Sequence, residues 1–129
     1  MQSGVIKTQA IVDLPEILVL HVNRLSGTQK YKRLYHQVEF PFEDLSLSKV
    51  SDGAGKTETD SYDLVGLVGH FGSSIKGHFV AYCFEPKVLS WVEFNDLKAK
   101  IVTVQQIEDL LRENIYLLVY RRKDNLGFG

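Results

Sequence analysis

Residues 76–95 read KGHFVAYCFEPKVLSWVEFN, and Asp96 follows. Two apolar runs rich in branched and aromatic residues flank the short break Pro86–Leu89. Runs of this kind joined by a short connection predict an antiparallel hairpin, Gly77–Glu85 against Ser90–Phe94. If Glu85 faces Ser90, then Val80 faces Asn95, and His78 lies diagonally beside Asn95 on one sheet face. A slip of one residue brings Asp96 opposite His78 instead. In either register an imidazole meets a carboxamide or a carboxylate at one end of the sheet.

The neighbouring segments extend that sheet. Tyr62–Phe71 predicts a strand joined to the hairpin through the loop Gly72–Lys76. With Phe71 facing Gly77, His70 falls opposite His78, so one sheet end collects His70, His78, Asn95 and Asp96. Glu16–Arg24 (EILVLHVNR) is apolar on both faces, which predicts a strand covered on both sides. Pro15 stands at its entrance, where a missing amide donor is tolerated. Tyr35–Phe40 predicts a short strand ended by Pro41, and Ile115–Arg121 a central one. Ser26–Arg33 is polar and basic, and reads as a loop. Ser46–Ser61 (SLSKVSDGAGKTETDS) shows no periodicity and reads as a flexible surface insertion. Thr103 with Gln106 forms a capping box, and Ile107, Leu110 and Leu111 follow at helical spacing. The expected class is α+β, a mainly antiparallel sheet with one packed helix.

Composition narrows the function classes. A chain of 129 residues fits one domain, and its net charge of −1 leaves no basic excess for nucleic acid. No apolar run is long enough to span a bilayer, and MQSGVIKTQA lacks the apolar core of a secretory signal. A single cysteine, Cys83, forms no internal disulfide and no paired metal knuckle. The expected home is a reducing compartment, cytoplasm or nucleus.

An imidazole whose one ring nitrogen is held by a carboxamide or carboxylate can aim its other nitrogen at a nucleophile. His78 with Asn95 or Asp96 therefore suggests a cysteine- or serine-type acyl-transfer site. Gly77 before the histidine would let a ligand backbone approach closely. Blander readings stay open. A histidine beside a glycine at a strand start can be structural, and Asn-Asp after a strand is a common turn signal. The four polar residues can also be read as a metal site, but they lack tight ligand spacing, and no metal or cofactor is expected. Cys83 sits mid-strand on the face opposite His78, so it is expected to be a small buried residue rather than the nucleophile. Trp91, Tyr62, Phe79 and Tyr120 read as sheet packing.

The series LPEILVLHVNRL (14–25), VEFPFEDLSL (38–47), YDLVGLVGHFGSSIKGHFVAYC (62–83), WVEFND (91–96) and YLLVYRR (116–122) resembles the C-terminal half of the ubiquitin-specific protease catalytic domain. The resemblance runs from about Ile11 to Arg122 and implies that residues 1–129 form part of one papain-like domain. It implies cleavage after the Gly-Gly tail of ubiquitin, with His78 as general base, Asn95 as orienter and Asp96 as a helper. His70, Gly77 and Phe79 would line the ubiquitin-tail channel, and Gly72–Lys76 and Ser26–Arg33 match loops over it. The implied partners are ubiquitin or a ubiquitinated protein, and a cysteine-box segment joined in cis or in trans. The sequence departs from the family pattern in four places, one of them the absence of the paired CxxC motifs that bind structural zinc in many members. The nucleophilic cysteine box is absent, Leu25 stands where phenylalanine is usual, and Phe79 stands where tyrosine is commoner. On this reading the chain alone is inactive. Two alternatives are a non-catalytic ubiquitin-binding scaffold with the same fold, and an α+β interaction module whose histidines are structural.

Overall fold

The structure is a computed structural model and describes residues 14–24, 36–50, 57–73 and 76–123. Among the described residues, seven strands and one helix follow in chain order: β1 (Ile17–His21), β2 (Leu45–Val50), β3 (Thr57–Gly72), β4 (Gly77–Glu85), β5 (Ser90–Asn95), β6 (Lys98–Val102), α1 (Val104–Leu111) and β7 (Ile115–Arg122). All pairings are antiparallel, in the order β1-β7-β3-β4-β5-β6, with β2 beside the first half of β3. The expected class, a largely antiparallel sheet with one helix, is the one observed.

Paired residues share a face, so the register divides the sheet into two surfaces. One row crosses all six main strands as Leu20, Leu118, Leu67, Tyr82, Glu93 and Lys100. This is the core side, where Leu67, Tyr82 and Leu118 join Tyr62, Trp91, Ile107, Leu111 and Tyr120 in one buried cluster. The helix begins where the capping box predicts: Thr103 Oγ1 accepts from the Gln106 amide, and Gln106 Oε1 accepts from the Thr103 amide. Ile107 and Leu111 point into the core, while Leu110 remains exposed. Gly69 makes the helix contact possible, because a Cβ there would lie 2.3 Å from Leu111 Cδ2. The buried tyrosines keep their hydroxyls satisfied, with Tyr120 donating to the Pro41 carbonyl at 2.7 Å and Tyr62 to that of Pro15.

The next row is Val19, Val119, Gly66, Cys83, Val92 and Ile101. It lies on the opposite face, and Val19 is 56% and Ile101 66% exposed. Here the structure departs from expectation: β1 is an edge strand, buried on neither side to the depth its apolar sequence suggests. Its apolar outer residues face a surface that no helix among the described residues covers.

Three further differences have local causes. Residues 36–40 run without strand pairing and are tied instead by the Val38 amide to the Arg112 carbonyl at 2.8 Å; Tyr35 lies outside the described residues. The stretch Ser46–Ser61 contains most of β2 and the start of β3, in register from Leu45–Tyr62 to Val50–Thr57. Backbone ladder bonds do not require apolar side chains, and Leu45 and Leu47 still alternate toward the core. Residues 51–56 between them lie outside the described residues. β6 (KAKIV) was not anticipated, because its polar side chains hide a strand held by pairing with β5.

Candidate active site

The β4–β5 ladder keeps the register expected from its turn, from Glu85–Ser90 to Ala81–Phe94. Leu89 closes that turn in the left-handed region at φ 51°. Just past the last pair, His78 Nε2 lies 2.7 Å from Asn95 Oδ1. A carboxamide oxygen only accepts, so in the neutral ring Nε2 carries the proton and Nδ1 the lone pair. His78 is exposed and Asn95 half-buried, so the free nitrogen is at a solvent-reaching end of the sheet. An imidazole anchored in this way has the chemistry of a general base.

Asp96 does not take the place opposite His78. It opens the two-residue turn between Asn95 and Lys98, which pair, and has φ 55°. Aspartate tolerates that left-handed conformation better than most residues.

The other hairpin differs from expectation by one residue. Phe71 pairs with His78 and Gly72 with Gly77, so His70 stands opposite Phe79, on the face away from His78. Gly72 permits this by adopting φ 94°, which delays the turn by one pair. The four residues expected together therefore divide between two faces of one sheet end. Among the described residues no three His, Cys, Asp or Glu side chains converge as a metal site.

His70 belongs to an aromatic shelf. Its ring centroid is 4.6 Å from that of Phe79 and 6.1 Å from that of Tyr116. Tyr116 in turn meets Phe79 at 5.1 Å and His21 at 4.7 Å, both edge-on. The His70 amide donates to the Asn114 carbonyl at 2.8 Å. Gly77 serves this shelf directly rather than leaving space for a ligand backbone: its missing side chain is where the His70 ring sits. Of the loop Gly72–Lys76, the Lys76 amide donates to Ser73 Oγ at 2.8 Å, and residues 74 and 75 lie outside the described residues, as does Ser26–Arg33.

Below the site, the Tyr82 hydroxyl donates to Glu93 Oε2 at 2.8 Å, and Lys100 Nζ lies 3.8 Å from Glu93 Oε1. Burial, and then the bond to Glu93, push the Tyr82 hydroxyl well above its ordinary range. Cys83 is exposed, contrary to expectation, because it lies on the uncovered sheet face. It is five residues from His78, about 16 Å along the strand, and faces the other way.

Tyr116 and His21 were not anticipated as shelf residues. Tyr116 is an extra residue in β7: Gly69 pairs with Ile115 and Val68 with Leu117, leaving Tyr116 between them. Strand alternation cannot reveal such a bulge, and only the crowding of aromatics in IYLLVY hints at it.

The family model "Ubiquitin carboxyl-terminal hydrolase" matches residues 7–120. The chain is 37% identical over 117 residues to the ubiquitin carboxyl-terminal hydrolase Usp2 of Drosophila melanogaster, covering 90% of this chain and 12% of that protein. It is 33% identical over 116 residues to human ubiquitin carboxyl-terminal hydrolase 2, covering 89% of this chain and 18% of that protein. Among solved structures, it superposes on a chain of the SAGA Ubp8/Sgf11/Sus1/Sgf73 deubiquitinating module bound to ubiquitin aldehyde, with TM-score 0.73 and 28% identity. That match covers 89% of this chain and 26% of the other. The chain thus spans less than a fifth of the curated relatives it matches.

Proposed function

The chain belongs to the ubiquitin carboxyl-terminal hydrolase family, and from that premise we propose that it supplies the base, the orienter and part of the tail channel of a ubiquitin-specific cysteine protease. The observation that carries the reading is the contact between His78 Nε2 and Asn95 Oδ1 at 2.7 Å. With Nε2 anchored, Nδ1 of His78 is the atom that takes the proton of a cysteine thiol. The thiolate attacks the carbonyl of the terminal glycine of ubiquitin, and the C–N bond to the target amine breaks. His78 returns the proton to the departing amine, and then deprotonates the water that hydrolyses the thioester. Asp96, at the neighbouring turn, assists in holding polar groups at that end.

The shelf of His70, Phe79 and Tyr116 suits a peptide whose last residues are glycines. A tail without side chains can lie close against these tilted and edge-on rings, where a bulkier residue would collide. Gly77 contributes by letting His70 settle into this surface.

The sequence holds one cysteine, and Cys83 faces away from His78. In the proposed enzyme the thiol comes from a segment beyond these residues, and the 129-residue chain by itself does not hydrolyse ubiquitin conjugates.

Titrating ubiquitin into the isotope-labelled chain tests the reading. Amide shifts clustered at His70, Gly77–Phe79, Asn95 and Tyr116, and absent with ubiquitin lacking its Gly-Gly tail, would support it. Shifts elsewhere that ignore the tail would favour a scaffold that binds another face of ubiquitin.

A further inference from the structure

We infer that Arg24 is a positioning residue of the tail channel: its guanidinium locks the bulge in β7 that keeps the Tyr116 ring on the shelf. The inference rests on the proposed tail channel for its meaning, but not for its test.

Arg24 is 7% exposed, a depth at which a guanidinium needs partners along its whole fork. Its Nε donates to the Ile115 carbonyl at 2.8 Å, and its two terminal nitrogens donate to the carbonyls of His36 at 2.8 Å and Arg112 at 3.5 Å. Two of these acceptors bracket the turn between α1 and β7. That turn carries the Asn114 carbonyl, which accepts from the His70 amide, and leads directly into Tyr116.

Ile115 is the residue just before the extra one. The pairs Gly69–Ile115 and Val68–Leu117 leave Tyr116 unopposed on β3, and the Tyr116 carbonyl instead accepts from the Val22 amide at 2.9 Å. A bulge is a choice of register, and side chains alternate with a period of two. If the bulge moved by one residue, the Tyr116 ring would leave the shelf for the opposite face. Arg24 Nε holds the carbonyl at which that choice is made. The same side chain reaches the helix end and the segment at His36, so α1, β1 and β7 are fixed around the bulge together. His21, three residues before Arg24, completes the arrangement by packing edge-on against Tyr116.

The test uses the whole chain without ubiquitin, so its outcome is independent of whether the tail binds. In Arg24→Lys the charge survives but the fork does not. Charge-assisted bonds of this kind lower local opening by about ten-fold or more. The expected result is a loss of exchange protection of that size at the His70 and Val22 amides, with loss of the Tyr116–Phe79 and Tyr116–His21 ring contacts. Amides of Tyr82 and Glu93 in β4 and β5 should stay within about two-fold, as expected for a remote cooperative unit. Uniform loss across the sheet, or an intact shelf in the variant, would overturn the inference. If Arg24→Lys does not fold, the unmutated chain decides. The Arg24 Nε proton and the His70 amide should then show matching protection, each relative to its own intrinsic exchange rate, whereas free exchange of Nε beside a protected His70 would sink the proposal.

Discussion

His70 and Gly77 fit together so closely that a Cβ on residue 77 would lie 1.6 Å from His70 Nε2. No rotamer of alanine relieves this, because the clash involves the first side-chain atom. Gly77→Ala should therefore push the His70 ring off Phe79 and cost roughly 1–3 kcal/mol of stability, the usual range for overpacking. Chemical denaturation gives the cost, and the ring contacts of His70 give the displacement. An unshifted His70 spectrum would contradict the packing described.

The bond from His78 to Asn95 predicts a graded response. Asn95→Ala removes the acceptor for Nε2–H, so the signal of the hydrogen-bonded ring proton should be lost while the fold persists. In an enzyme completed by a cysteine-bearing segment, the same change should lower kcat by on the order of a hundred-fold, as for a misdirected general base. Asn95→Asp retains an acceptor at the same atom and should keep most of the activity. Equal loss in both variants would argue that Asn95 supports the turn rather than the imidazole.

Tyr82 and Glu93 form a buried rung beneath the site. Tyr82→Phe would leave the Glu93 carboxylate with its bond to Tyr82 unmade in a site only 9% exposed. The expected cost is roughly 1–3 kcal/mol, and the double change with Glu93→Gln should cost less than the sum of the single changes. A strictly additive cycle would show that the two side chains do not share one interaction.

Alkaline pH should unfold the chain through its tyrosines. Burial pushes the Tyr120 hydroxyl from 10.0 up to about 12, and Tyr62 and Tyr82 shift in the same direction, chiefly through burial. Above pH 10 the unfolded chain releases these protons while the folded chain retains them. Stability present in full below pH 10 is thus lost as pH rises toward 12, at up to about 1.4 kcal/mol per pH unit for Tyr120, with Tyr82 and Tyr62 acting in the same direction. Denaturation midpoints from pH 8 to 12, with tyrosinate absorbance followed in parallel, would check this. A flat profile would contradict the buried, neutral hydroxyls.

The legible parts of the fold were those written in short-range chemistry. Thr103 and Gln106 mark the helix start because the cap needs only those two side chains at that spacing. The register of β4 on β5 follows from the length of the Pro86–Leu89 turn, and with it the approach of His78 to Asn95. Features set by the backbone or by distant contacts were not legible. The positive φ of Gly72 moves His70 by one pair, and no side-chain pattern records that. The bulge at Tyr116 and the burial of Arg24 depend on residues 91 positions apart, Arg24 and Ile115. β2 and β6 are strands by pairing rather than by composition, and the exposure of β1 and Cys83 reflects which face the helix covers. The family resemblance supplied roles for His78 and Asn95, whereas the geometry supplies their contact.

His78 is proposed as the base of a ubiquitin-cleaving site. The most direct measurement of that role joins this chain to the cysteine-bearing N-terminal part of a relative's catalytic domain, such as that of Drosophila Usp2, and follows release of a fluorophore from the ubiquitin C-terminus. Hydrolysis by the fusion should fall by at least about a hundred-fold with His78→Ala, and the 129-residue chain alone should show none. A folded, ubiquitin-binding fusion that hydrolyses equally well without the His78 imidazole would contradict that role.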